Sequence, residues 1–181
     1  MQANEFVKNA LKTESRDFAT IGQRMIAVPR DLASLLSVGV VVSQTQDALK
    51  KHCFYGKPIK DPGVPEPETF LSQEQIHANL SKEENIRLIH GAIGAFTEAG
   101  ELQEQLYKHL FLGKDLDKVN LAEEVGDTLW YLAILCDTLG VQMEDVMEKI
   151  IAKLRARYAD KFTEESAINR DVAAERKILE S

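Results

Sequence analysis

The chain has 181 residues, 44% of them hydrophobic and 28% charged, with a formal net charge of −7. That is enough for a core in a chain sized for one domain with an appended segment, and the acidic balance disfavours nucleic acid as a partner, because binding its phosphates needs clustered Lys and Arg. No apolar run approaches the roughly 18 residues of a membrane span, and Met1 to Thr13 lacks signal-peptide character.

Apolar residues recur mostly at spacings of three and four, which predicts an all-α protein. Residues 3–12 and 14–26 read as short helices, and 30–52 as a longer one. Four of the five prolines fall between Pro58 and Pro67, which predicts an extended connector. The expected organisation is therefore an N-terminal helical segment, 1–57, a proline-rich connector, 58–80, and a helical domain, 81–181. Ser81-Lys-Glu-Glu84 reads as a capping box that opens a long helix over 82–111. Gly113 ends it, Asp115 or Asp117 caps the next, over 118–139, and Gly140 stops that one. A third helix is expected over 142–158, a break over 160–163, and a charged last helix over 164–178. Cys53 and Cys136 lie in apolar surroundings and form no metal pattern, so a reduced cytoplasmic setting with free thiols is expected.

A faint repeat is present. Lys51-His-Cys-Phe-Tyr-Gly-Lys57 matches Lys108-His-Leu-Phe-Leu-Gly-Lys114 at five positions. The same offset places Val41 and Gln44 opposite Glu98 and Glu101. The match reads either as a duplication whose first copy lacks the carboxylates or as a common helix ending.

Chemistry concentrates in two carboxylate pairs. Glu98 and Glu101 sit in T-E-A-G-E-L, and Glu124 and Asp127 in A-E-E-V-G-D-T-L-W. Each pair is spaced i, i+3, so both members leave one helical face. Either pair alone reads as a solvated acidic face. Both, however, border apolar stripes. Gly94, Glu98, Glu101, Gln105 and Lys108 form one polar stripe, and Asn120, Glu124, Asp127 and Tyr131 the other. A short antiparallel connection would bring the pairs to the same height. Gly94, Gly100 and Gly126 leave room for close approach or for a ligand. Converging carboxylates are costly unless a cation joins them, and oxygen-only ligands suit Mg2+ or Mn2+. In the third helix Lys153, Arg155 and Arg157, with Lys161 beyond, supply the opposite charge. They either complement the helix dipole or grip phosphate. Asn169-Arg170-Asp171 follows.

The order Glu-x-x-Glu, then Glu-x-x-Asp, resembles the motif of the MazG-like all-α nucleoside triphosphate pyrophosphohydrolases. H-G-A-I-G-A-F-T-E-A-G-E-L, N-L-A-E-E-V-G-D-T-L-W-Y-L-A, K-L-R-A-R-Y and the tail I-N-R-D-V-A-A-E-R-K-I-L-E carry the likeness, over about residues 86–180 and weakly over 1–57. The resemblance implies an all-α helical bundle, a homodimer or homotetramer, and magnesium-dependent cleavage of a nucleoside triphosphate to the monophosphate and pyrophosphate. It implies Glu98, Glu101, Glu124 and Asp127 as metal ligands, with Glu98 or Glu123 as general base. Lys108, Lys153, Arg157, Lys161 and Asn169 are the candidate phosphate contacts. The sequence departs from the pattern at Ile150, where relatives often carry Asn, and at Thr97, where some carry an acid. Other readings are a narrower dUTP, dCTP or phosphoribosyl-ATP pyrophosphatase and a non-catalytic nucleotide- or metal-binding bundle. A di-iron bundle is disfavoured, because no Glu of the paired helices is followed by His at i+3.

Overall fold

The computed structural model describes residues 2–14, 16–58, 71–158 and 163–180. Among them are nine helices and no strand: α1 (Ala3–Ala10), α2 (Phe18–Ala27), α3 (Pro29–Tyr55), α4 (Gln73–Leu80), α5 (Glu83–Leu112), α6 (Lys118–Thr138), α7 (Met143–Tyr158), α8 (Glu164–Ile168) and α9 (Val172–Glu180). None is long and apolar enough to cross a membrane by itself. The expected all-α class holds.

The chain forms two compact units, each discontinuous in sequence. The first is Met1–Val28 with Ser72–Glu144, and the second is Pro29–Leu71 with Asp145–Ser181. They do not follow the linear division 1–57, 58–80, 81–181. Within the first unit α1 packs on α6, and α2 on α4 and α5.

The first unit is built on the α5–α6 hairpin. Gly113 stops α5 with φ of 65°, a left-handed value that costs glycine nothing. The Lys114 N–H then returns to the Lys108 carbonyl at 3.1 Å. Asp117 caps α6, its carboxylate accepting from the N–H groups of Val119 and Asn120, both at 3.0 Å. The expected capping box lies elsewhere. Ser72 and Gln75 form one at the start of α4, whereas Ser81 donates its hydroxyl to the His77 carbonyl at 2.8 Å and closes α4. The residue before α5 is Lys82, with no side-chain cap. Glu83 and Glu84 in the first turn complement the dipole there instead.

Ala10, Ala133 and Met143 are buried together, with Phe6, Val7, Trp130 and Cys136 packed around them. Gly22 lets α2 close on the start of α5, where an added Cβ would lie 3.2 Å from Ile86 Cδ1. An ion triad, buried at Glu14 and Arg87 and exposed at Asp137, ties the N-terminal segment to the hairpin. Arg87 donates to both Glu14 oxygens, at 2.6 and 3.0 Å, and to Asp137 Oδ2 at 2.6 Å. Glu14 raises the Arg87 pKa above its ordinary value, against the opposing effect of burial, with Asp137 adding to the rise. Trp130 donates its indole N–H to Thr13 Oγ1 at 2.9 Å. The Asn4 N–H, in the first turn of α1, reaches Glu144 Oε1 at 2.7 Å.

In the second unit α3 packs on α8. The expected helix over 164–178 is two helices, because Asp171 starts a new one, accepting from the Ala174 N–H at 2.9 Å. Glu175, buried, is gripped by Arg157 through two bonds of 2.7 and 2.6 Å, and by Arg170 at 3.3 and 2.6 Å. The two guanidiniums hold its carboxyl far below the usual range, at about 2. The ends of α3 and α5 share their geometry: Gly56 has φ of 64°, and the Lys57 N–H returns to the Lys51 carbonyl at 3.2 Å. His52 Nδ1 donates to the Lys57 carbonyl at 2.9 Å, as His109 Nδ1 does to that of Lys114 at 2.8 Å. The repeated letters thus encode one helix-ending device.

Candidate metal centre

The α5–α6 hairpin is antiparallel, and its register brings the carboxylates together. Gly94 lies against Tyr131 near one end of the contact, and Gln105 bonds Asn120 near the other. Between them Glu98, Glu101 and Glu124 each offer a carboxylate oxygen, all within 4.8 Å of one another. Glu124 is buried, Glu98 half-buried and Glu101 exposed. Asp127 is exposed and outside that group of three, but its charge reaches Glu98. Burial pushes the Glu98 carboxyl above its ordinary pKa, aided by a hydrogen bond with Glu124 and by the charges of Glu101, Glu124 and Asp127. The cluster therefore attracts positive charge, and its all-oxygen donor set fits a hard divalent cation.

Neighbouring polar groups frame the cluster. Asn120 Nδ2 donates to Glu124 Oε1 at 2.7 Å, and Gln105 Nε2 donates to Asn120 Oδ1 at 2.6 Å. Thr128 donates its hydroxyl to the Glu124 carbonyl at 2.9 Å. The Tyr131 ring lies on Gly94, where a Cβ would stand 2.1 Å from two ring carbons. Burial raises the Tyr131 pKa, with added contributions from Glu98 and Asp127. His90 and Trp130 meet that ring edge-on, with centroids at 5.4 and 4.9 Å. His90 is thus a packed histidine in an aromatic cluster. Of the three glycines expected to relieve crowding, Gly94 does so. At Gly100 and Gly126 an added Cβ would meet nothing within 4 Å. Gly91, which the stripes did not single out, is a second close approach, with Leu135 Cγ at 2.7 Å from its Cβ position.

The remaining expected residues are dispersed. Glu123 is exposed and outside the group of three. Lys108 pairs with Glu104 at 2.9 Å on the surface of α5. Lys153 and Arg157 lie on α7 in the second unit, where Arg157 is paired with Glu175. Asn169 is exposed at the end of α8, and Lys161 lies outside the described residues. The Arg157–Glu175–Arg170 cluster and the roles of Gln105 and Asn120 were not read from sequence. The stripes contained both amides but carried no sign of their orientation.

No curated protein and no solved structure matches the chain. The family model described as MazG nucleotide pyrophosphohydrolase domain matches residues 93–162. That span begins on α5 ahead of Glu98 and contains all four carboxylates and all of α6. The part of the hairpin that gathers the acidic cluster thus lies within the span, residues 93–162, that is similar to a MazG nucleotide pyrophosphohydrolase domain.

Proposed function

We propose that the protein is a metal-dependent nucleoside triphosphate pyrophosphohydrolase, converting an NTP or dNTP to the monophosphate and pyrophosphate. The observation that carries this reading is the convergence of Glu98, Glu101 and Glu124 inside the matched span. Glu98, Glu101, Glu124 and Asp127 would hold Mg2+, or Mn2+ in its place. When bound, such a cation supplies positive charge against the phosphate oxygens and lowers the pKa of water. The chain's own contribution is positioning. Buried Glu124 fixes the ligand set from α6, and Glu98 and Glu101 close it from α5. Glu98 or Glu123 takes the proton of the attacking water. Water then adds across the α–β phosphoanhydride, and pyrophosphate leaves. No nucleophilic side chain is required, because phosphoryl transfer depends mainly on positioning and charge.

Lys108, Lys153, Arg157 and Lys161 are proposed phosphate contacts, supported by their place in the matched span; Asn169 rests on sequence pattern. For Arg157 the role competes with its ion pair to Glu175. Self-association is part of the same reading. Phe96, Leu106, Val125 and Leu129 are each more than 40% exposed on the hairpin, an apolar surface that a homodimer or homotetramer would cover. We also place the protein in the cytoplasm, in keeping with the free Cys136, whose thiol pKa burial raises.

The test is pyrophosphate release over a panel of ribo- and deoxyribonucleoside triphosphates, phosphoribosyl-ATP included, with and without Mg2+. Release confined to dUTP, dCTP or phosphoribosyl-ATP selects the narrower enzyme. Release from none selects the non-catalytic bundle.

A further inference from the structure

Gln105 and Asn120 lie on different helices and face one another across the hairpin beside the buried ligand Glu124. Their amides have one consistent arrangement. A carboxylate only accepts, so Asn120 must turn its NH2 to Glu124, at 2.7 Å. That leaves its carbonyl facing Gln105, which must turn its own NH2 to it, at 2.6 Å. Reversing either amide would set acceptor against acceptor or donor against donor. The Asn120 backbone is itself anchored, its N–H held by the Asp117 cap at 3.0 Å. Gln105 lies a full turn beyond Glu101 on α5 and reaches Glu124 through Asn120.

We propose that Gln105 and Asn120 form a positioning relay that fixes one oxygen of Glu124 and so presents the other to the cation. The relay rests on the metal-centre reading above. Partners hydrogen-bonded to a ligand hold its orientation, and losing them costs about 10- to 100-fold in metal affinity. A purely structural tie between α5 and α6 would instead appear in stability.

The experiment is Mn2+ binding to the full chain, read by loss of the free-ion EPR signal, in wild type, Asn120→Leu, Gln105→Met and the double variant, with thermal unfolding in parallel. Glu101→Gln tests the metal reading itself. The expected result is Mn2+ binding by wild type and its loss in Glu101→Gln. Asn120→Leu should then bind about 10- to 100-fold more weakly. Gln105→Met should bind more weakly than wild type, and the double variant no more weakly than Asn120→Leu. That non-additivity marks a relay. Should wild type bind and both single variants match it, or should the two losses simply add, the relay is overturned while the metal centre stands. If wild type takes up no Mn2+, the metal centre falls and the relay with it. Gln105→Met removes no group from the cluster, so it also decides the matter should Asn120→Leu fold poorly.

Discussion

Replacing Gly94 with alanine sets two opposed effects against each other. In a helix interior alanine is favoured over glycine by about 1 kcal/mol. At Gly94, however, the new Cβ would stand 2.1 Å from Tyr131 Cδ1 and Cε1 and 2.4 Å from Cζ, where ordinary contact begins at 3.4 Å. The ring must retreat by about 1.3 Å (3.4 less 2.1). It has little freedom to do so, because His90 and Trp130 hold it edge-on from two sides. Overpacking of this kind costs about 1–3 kcal/mol. The upper part of that range applies, and the helix gain offsets about a third of it, for a net loss of about 1–2 kcal/mol. At roughly 2–4 °C per kcal/mol for a chain of this size, Tm falls by about 2–8 °C. Gly100→Ala is the control, because its Cβ meets nothing within 4 Å, and it should gain up to about 1 kcal/mol. Urea denaturation and calorimetry of the two variants side by side make the comparison. Gly94→Ala as stable as Gly100→Ala would refute the packing argument. Pyrophosphate release should also fall in Gly94→Ala, since the displaced ring lies near enough to Glu98 to feel its charge.

Three further outcomes are expected. Glu14→Ala leaves Arg87, with a side chain only 10% exposed, holding Asp137 alone; breaking a buried pair costs about 3 kcal/mol, and a loss below about 0.5 kcal/mol by urea denaturation would show that Asp137 suffices. Glu175 has its pKa lowered from 4.5 to about 2, so its pairing stabilises the fold fully above pH 4.5 and is lost as pH falls toward 2. Far-UV circular dichroism through that window should show a slope that Glu175→Gln flattens; a slope unchanged by Glu175→Gln would place the acid sensitivity elsewhere. Asp127→Asn removes one of the negative charges that raise the Glu98 pKa, so Tm should hold or rise while pyrophosphate release drops about 100-fold or more. Full activity in that variant would remove Asp127 from the metal centre.

What the sequence made legible was local and signed by special residues. The hairpin is the clearest case. Helices expected over 82–111 and 118–139 are found at Glu83–Leu112 and Lys118–Thr138, because Gly113, Asp117 and Gly140 each impose a definite backbone geometry. Periodicity alone was enough to bring Glu98, Glu101 and Glu124 to one height. It was not enough to tell that Asp127 stands outside the tightest group. The connector hid α4, since the capping signal at Ser72 and Gln75 was outweighed by the prolines before it and by a similar-looking signal at Ser81. Ser81 has a competing acceptor, the last-turn carbonyl of His77, which nothing in one dimension advertises. The ion clusters were beyond reach for the same reason. Glu14 and Arg87 are 73 residues apart, and neither charge is unusual in its local context.

The discontinuity of the first unit also bears on how the chain folds as it is made. Glu14 leaves the ribosome 73 residues ahead of Arg87, and Thr13 leaves 117 residues ahead of Trp130. At about 5–20 residues per second, the first wait lasts about 4–15 s and the second longer. Through that interval the amphipathic α1 and the loop after it have no partner surface, and all of Pro29–Leu71 is synthesised in between. Closure of this unit is therefore a late, long-range event, slowed by the entropy of the loop it must draw shut, and the hairpin that carries the carboxylates is the template on which the N-terminal helices settle.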